Sequence, residues 1–374
     1  MPASQVWEIY MIPFLDLKAQ YESIKPELES AVLKLLASTQ YVLGPEVEGF
    51  EREFAQFCGA KFAVGCNSGT SALHLALLAL DIKPGDEVIT VPMTFVATAA
   101  AVDYAGGRTR LVDVDPHTWT LDPNRLESAI TPRTRAILPV HLHGLSAPMD
   151  AIRNIADKHG LAVLEDAAQA HGATCDGKRV GENGHAACYS FYPGKNLGAA
   201  GEGGAVVTDD PAIAQKVRQL RDWGATRKYH HELKGFNYRL EGMQGAVLRV
   251  KLRHLAAWNE SRRKHAHHYL RRLARAGIGL PAAPEGSRHV YHVFAIRVPN
   301  RDALQEKLRL AGISTNIHYP IPVHLQPAFA DLGYHAGDFP VSEQLGKEFL
   351  SLPMYPELTT QQVDQVCDAL LAAL

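Results

Sequence analysis

The chain has 374 residues, 46% of them hydrophobic, and a formal net charge of -2. That length buries a large core and divides into a major and a minor unit. The near-neutral charge, with no long basic run and no continuous apolar span of membrane length, argues against nucleic-acid and membrane partners. Five scattered cysteines without a C-x-x-C pair read as reduced thiols in cytoplasm.

Met1 to Tyr10 lack the basic and apolar regions of a signal peptide, and Met11 is a second candidate start. Residues 1–20 are expected as an extended N-terminal segment, with Pro13 to Gln20 packed outside the main sheet. The first strand, Phe62 to Gly65, runs into Ser68-Gly69-Thr70 and then a strongly apolar helix through Leu73 to Leu80. Free N–H groups at such a helix start suit an anion, but Ser68 and Thr70 are equally good helix caps. Cys66 beside them reads as a small packing residue. A second strand, Glu87 to Val91, leads to Phe95, an aromatic placed either to stack on a ring or to pack in the core.

Further strands are expected at Arg110 to Val114, Arg135 to Val140 and Ala162 to Glu165, with a helix at Ile152 to His159. This alternation predicts a largely parallel sheet covered on both faces. Asp166 falls at the carboxyl end of its strand, where ligands bind in open α/β sheets. Its neighbour Glu165 competes for the same role, but alternation points the two to opposite faces. Between the short strands Ala186 to Ser190 and Ala205 to Thr208 stands Ser190-Phe-Tyr-Pro-Gly-Lys195. A lysine among aromatic and small residues, partly screened from water, reads as a Schiff-base former. With Asp166 as the acid for a pyridine nitrogen and the helix start as phosphate cradle, Lys195 points to pyridoxal phosphate.

Beyond Pro211 helices are expected at Ala212 to Trp223 and Glu241 to about Arg275, separated by the loop Gly224 to Arg239. Within that loop Arg227 to His231 meets either a diphosphate or water. A Pro/Gly-rich stretch after Gly277 precedes a smaller α/β unit with helices at Arg301 to Ala311 and Thr360 to Leu374. The expected division is a large domain over residues 1–250 and a linking helix with a small C-terminal domain over residues 251–374. The 18 histidines show no i, i+4 pair with a general-base glutamate, so no metal is expected. His171 either contacts the cofactor or orders its loop. His318, Tyr319 and His324 lie on a loop able to close over substrate, or are ordinary turn residues around Pro320 and Pro322.

The chain resembles the DegT/DnrJ/EryC1/StrS sugar aminotransferases of the fold-type I pyridoxal phosphate enzymes. The resemblance rests on Tyr41-Val-Leu-Gly-Pro-Glu-Val-Glu, Asn67-Ser-Gly-Thr70, Glu165-Asp-Ala-Ala-Gln-Ala-His-Gly, Ser190 to Leu197, Gly235-Phe-Asn237-Tyr-Arg239 and Ile317-His-Tyr-Pro320. It implies an α/β fold with a large, mostly parallel sheet between helices and a smaller C-terminal α/β domain. It implies Lys195 as Schiff-base lysine and proton carrier, Asp166 at the pyridine nitrogen, Gln169 near the ring hydroxyl and Phe95 against the ring. Gly69, Thr70 and Ser190 would hold the phosphate, joined by Asn237 of a neighbouring subunit in a homodimer with shared sites.

The implied reaction moves an amine from L-glutamate, through pyridoxamine phosphate, to a nucleotide-linked keto sugar. The runs Phe191 to Gly198 and Ala246 to Leu255 look most like those of enzymes acting on dTDP-3-keto-6-deoxyhexoses. Gly235 to Gln244 departs from the wording common in that group, which leaves 4-keto and UDP-linked sugars open. Two rivals are a sugar dehydratase of the same fold, whose members lack the lysine, and a non-catalytic sugar-nucleotide binding protein.

Overall fold

The computed structural model describes residues 11–374; the expectations for Met1 to Tyr10 lie outside them. The extended N-terminal stretch is shorter than expected, because helix α1 (Leu17–Ser38) already begins at Leu17, with Asp16 Oδ1 accepting from the Ala19 N–H at 2.9 Å. Its buried Ile24 packs against Val250 and Trp258, a contact no local pattern announces. Helix α2 (Pro45–Cys58) follows, with proline in its first turn and Gly59 closing it at φ 74°.

Strands and helices then alternate: β1 (Phe62–Cys66), α3 (Gly69–Ala79), β2 (Glu87–Thr90), α4 (Ala97–Tyr104), β3 (Arg108–Leu111), the single turn α5 (Pro123–Leu126), β4 (Thr134–Ile137), α6 (Met149–His159) and β5 (Ala162–Asp166). A small ribbon, β6 (Thr174–Cys175) and β7 (Lys178–Arg179), precedes β8 (Ala186–Ser190) and β9 (Gly204–Thr208). Next come α7 (Pro211–Arg221), the hairpin β10 (Ala225–Arg227) with β11 (His230–His231), and the long α8 (Gly242–Leu273). The C-terminal part holds β12 (Ser287–Arg288), β13 (Phe294–Arg297), α9 (Arg301–Leu310), α10 (Pro340–Glu348), β14 (Phe349–Leu352) and α11 (Thr360–Ala373).

Seven strands form the main sheet in the order β1-β9-β8-β5-β4-β2-β3. The pairs from β8 through β5, β4 and β2 to β3 are parallel, and β9 alone runs antiparallel to both neighbours. Alternation sends Val64 and Val206 into one core with α3 and α7, and Ala63 and Val207 into another with Phe50 and Phe54 of α2 and Leu248 of α8. The C-terminal strands β13 and β14 pair antiparallel and share a separate core with α9, α11 and the end of α8. The boundary expected at residue 250 falls inside the continuous helix α8. The parallel strands put their carboxyl ends along one edge, and that edge carries the candidate site.

Candidate active site

Glu165 and Asp166 part as the strand period requires. Glu165 is fully buried, accepting from Gly181 N–H at 3.1 Å and Gly184 N–H at 2.7 Å, with His141 Nε2 at 2.9 Å. It is structural. Asp166 instead takes the Thr98 hydroxyl at 2.8 Å on Oδ2 and the Ala168 N–H at 3.2 Å on Oδ1. Burial pushes its carboxyl upward; Thr98, Ala168, the Lys195 charge and His141 pull it back. Thr98, in the first turn of α4, bears no motif and is far from Asp166 in sequence, so nothing in the chain signalled it.

Lys195 sits in the turn between β8 and β9, partly buried, its N–H bonded to Tyr192 O at 2.8 Å. Burial pulls its amine down to about 8, against the lift from the Asp166 charge. The two groups therefore act on each other across the ends of adjacent parallel strands. The turn is pinned from α8: Gln244 Oε1 accepts the Ala200 N–H at 2.9 Å, and Lys251 Nζ donates to Gly198 O at 2.9 Å.

At the start of α3, Ser68 acts as the cap, taking the Ser71 N–H at 3.0 Å on Oγ and the Ala72 N–H at 3.0 Å on its carbonyl. That leaves the N–H groups of Gly69 and Thr70 without an intrahelical acceptor, at the positive end of the helix. Ser190 lies directly above them. A Cβ added at Gly69 would stand 2.6 Å from Ser190 Cβ, so glycine keeps open the notch between helix start and hydroxyl. Cys66 is buried, its thiol pushed up to about 12, which suits packing and not attack.

On the other side, Phe95 is 54% exposed, its ring 5.6 Å from that of Tyr319. Gln169 Oε1 accepts the His143 N–H at 2.6 Å and Gln169 Nε2 donates to Tyr319 Oη at 3.0 Å, leaving one amide N–H for a ligand. His143 Nε2 in turn donates to His318 O at 3.0 Å, and His318 Nδ1 is 2.9 Å from Ser351 Oγ. The chain thus brings His318 and Tyr319 to Phe95 and Gln169. His324 goes elsewhere: it is buried with Nε2 3.1 Å from Glu343 Oε1 and its ring against Phe339. Asn237 is exposed within the single chain, its Oδ1 taking Arg239 Nη2 at 2.6 Å.

Three histidines feel the Lys195 charge. His171 and His318 are held down to about 3, first by burial, and His292 is driven well down by the same cause. His292 escaped sequence reasoning altogether, because it reaches the site only through the packing of the C-terminal unit. Among the described residues no group of three or more His, Cys, Asp or Glu is arranged to hold a metal ion, and no helix is long and apolar enough to cross a membrane.

An amine poised near neutrality, a buried carboxylate, an open notch between helix-start N–H groups and a hydroxyl, and a half-exposed aromatic form one donor set. That set fits a phosphorylated pyridine aldehyde.

Comparison with known proteins matches residues 22–371 to the DegT/DnrJ/EryC1/StrS aminotransferase family. The chain is 51% identical, over 96% of its length and 95% of the relative's, to dTDP-3-amino-3,4,6-trideoxy-alpha-D-glucose transaminase of Streptomyces venezuelae. It is 45% identical, over 97% of its length and 98% of the relative's, to UDP-N-acetyl-3-dehydro-alpha-D-glucosamine 3-aminotransferase of Acidithiobacillus ferrooxidans. The crystal structure of S. venezuelae DesV in complex with a ketimine intermediate superposes with a TM-score of 0.95 at 50% identity, covering 97% of this chain and 98% of that one.

Proposed function

From the premise that the chain belongs to the pyridoxal phosphate-dependent DegT/DnrJ/EryC1/StrS aminotransferase family, we propose that it transfers the amino group of L-glutamate to a dTDP-linked 3-keto-6-deoxyhexose. The observation that carries this is one sheet edge that gathers Asp166 at the end of β5, the Lys195 turn after β8 and the Gly69–Ser190 notch, in a chain 51% identical to a dTDP-3-amino sugar transaminase. Two relatives that differ in nucleotide both carry position 3 in their names, which supports 3-amination over 4-amination. The higher identity to the dTDP-sugar enzyme supports that nucleotide over UDP.

When bound, pyridoxal phosphate supplies the aldehyde that carries the amine and the ring that spreads the charge of a carbanion. Gly69 and Thr70 N–H groups and the Ser190 hydroxyl would hold its phosphate, Phe95 would lie against the ring, and the remaining Gln169 N–H would serve the ring hydroxyl. Asp166, kept in place by Thr98, would accept the pyridine N–H and keep that nitrogen protonated. Lys195 Nζ, its amine pulled down to about 8, would carry the proton released at the glutamate Cα to the cofactor's aldehyde carbon and, in the return half, a proton from that carbon to the sugar carbon. Tyr319 Oη accepts from Gln169, so its own proton is free to donate to the sugar nucleotide, beside His318.

The enzyme works as a homodimer in which Asn237 completes the partner's phosphate site, a reading supported by the exposure of Asn237, Trp223 and Tyr229 on one loop region. Five free thiols support a cytoplasmic location. Retention of Lys195 separates this reading from a sugar dehydratase, and of the whole donor set from a non-catalytic binder.

The test is visible absorbance of the cofactor-loaded protein during titration with nucleotide-linked 3-amino and 4-amino sugars. The aldehyde-form band should be lost with a dTDP-3-amino sugar. Loss only with a 4-amino or UDP-linked sugar would redirect the substrate, and no band after cofactor addition would overturn the role of Lys195.

A further inference from the structure

The residue after Lys195 is buried and fully engaged. Asn196, 2% exposed, donates from Nδ2 to Asn259 Oδ1 at 2.9 Å and to Val290 O at 3.1 Å, while its Oδ1 lies 3.2 Å from His292 Nδ1. Asn259, on α8, donates from its own Nδ2 to His171 O at 2.8 Å. Both ends of this chain are backbone carbonyls, which can only accept. Val290 O therefore fixes the Nδ2 side of Asn196, and His171 O fixes the Nδ2 side of Asn259, so neither amide can be turned round without two acceptors facing each other. Asn196 Oδ1 is then the atom left for His292. An acceptor there requires that His292 carry its proton on Nδ1, leaving the lone pair on Nε2.

The same chain joins three pieces of backbone that carry the site. His171 lies in the loop that follows Asp166, Asn196 follows Lys195, and Val290 with His292 opens the C-terminal unit. All three meet at the Asn196–Asn259 pair: Val290 and His292 bond Asn196, and His171 bonds Asn259 in the middle of one long helix. We infer that Asn196 is a positioning residue, clamping the Lys195 turn to the Asp166 loop through Asn259 and holding His292 beside Lys195 as the Nδ1-protonated tautomer. His292 stays neutral because burial and the Lys195 charge both oppose its protonation. It thus adds a lone-pair acceptor to the lysine's surroundings without adding positive charge, and it does so in a fixed orientation.

The inference rests on Lys195 as proton carrier, but its first readout needs no turnover. In protein labelled with 15N-histidine, long-range proton–nitrogen correlation gives the tautomer, with His292 identified by the signal lost in His292→Gln. A protonated Nδ1 and a lone-pair Nε2 are expected near neutral pH; the opposite tautomer, or an imidazolium, overturns the inference in the wild-type protein itself. Asn196→Ala should release the tautomer and lower kcat about tenfold or more, with KM for the sugar within about threefold. Asn196→Asp keeps an acceptor for His292 but loses both donors, so the Nδ1–H signal should survive while the rate still falls. A folded Asn196→Ala protein with wild-type kcat would remove the positioning role. Should that variant not fold, Asn259→Asp, which loses only the donor to His171 O, is expected to keep the His292 signal and lose rate; unchanged rate counts against the clamp. Failure of the aminotransferase reading would appear differently, as wild-type protein without turnover but with the tautomer intact.

Discussion

Burial changes what Lys195 can do. An ordinary lysine, with a pKa of about 10.4, is only about 0.1% neutral at pH 7.5, whereas an amine at about 8 is roughly a quarter neutral. The difference is a few-hundred-fold gain in the nucleophilic form. Reaction of Lys195 with an acylating reagent in cofactor-free protein should therefore rise through a midpoint near pH 8 and fall off below it; a midpoint above 10 would sink this account. Lys195→Ala should leave no borohydride-trappable link to the cofactor and no more than trace turnover. Asp166→Asn, whose amide cannot balance a pyridinium, is expected to retain some cofactor and lose about a hundredfold or more in kcat, and near wild-type kinetics would move that role elsewhere. At Gly69 the constraint is space. Gly69→Ala pushes a methyl against Ser190, so the dissociation constant for pyridoxal phosphate should rise about tenfold or more with unchanged circular dichroism.

Helices place these groups, and α8 does most of the placing. Through Gln244, Lys251 and Asn259 it reaches the turn after Lys195 at three points along its length. A second tie joins α2, β1 and α7, where Arg221 pairs with the buried Glu51 and bonds Gly65 O at 2.5 Å, and Glu51 also takes the Gly65 N–H at 2.8 Å. Removing one partner strands the other charge in a low-dielectric setting. Arg221→Met should thus cost about 3–5 kcal/mol in denaturant unfolding, and Glu51→Gln in the same chain should recover part of it. Additive losses in the double variant would show that the pair is not coupled.

For the whole molecule, the neutral histidines set an acid limit. His143 is held near 4, and His171, His289 and His318 near 3, each chiefly by burial. An unfolded chain binds protons at about 6.5, so between pH 6.5 and 4 the unfolded state gains protons that the folded state refuses. Stability should then fall with decreasing pH by up to about 1.4 kcal/mol per pH unit for each such histidine. A melting temperature flat from pH 7 to 5 would contradict this. The proposed sharing of sites predicts that mixed Lys195→Ala and Asn237→Ala protomers regain part of the activity, and proven exchange without recovery would count against a shared site.

The parallel sheet, the carboxyl-end location of Asp166 and the turn that carries Lys195 were legible in the chain, because strand period, apolar runs and glycine-rich turns are local signals. Ser68 reads both as cap and as anion contact; in the structure its Oγ caps α3, with the Gly69 and Thr70 N–H groups open beside it. Pro13 to Gln20 reads as extended in the sequence, whereas α1 begins at Leu17 and is held by docking of Ile24 against Val250 and Trp258 of α8. Thr98, His292, Asn196 and Asn259 could not be assigned roles, because each acts through a partner dozens of residues away. Local propensity and spacing determined which residues could do the chemistry, while only three-dimensional packing decided their protonation, orientation and mutual support, since desolvation and hydrogen-bond direction depend on neighbours that the linear order does not contain.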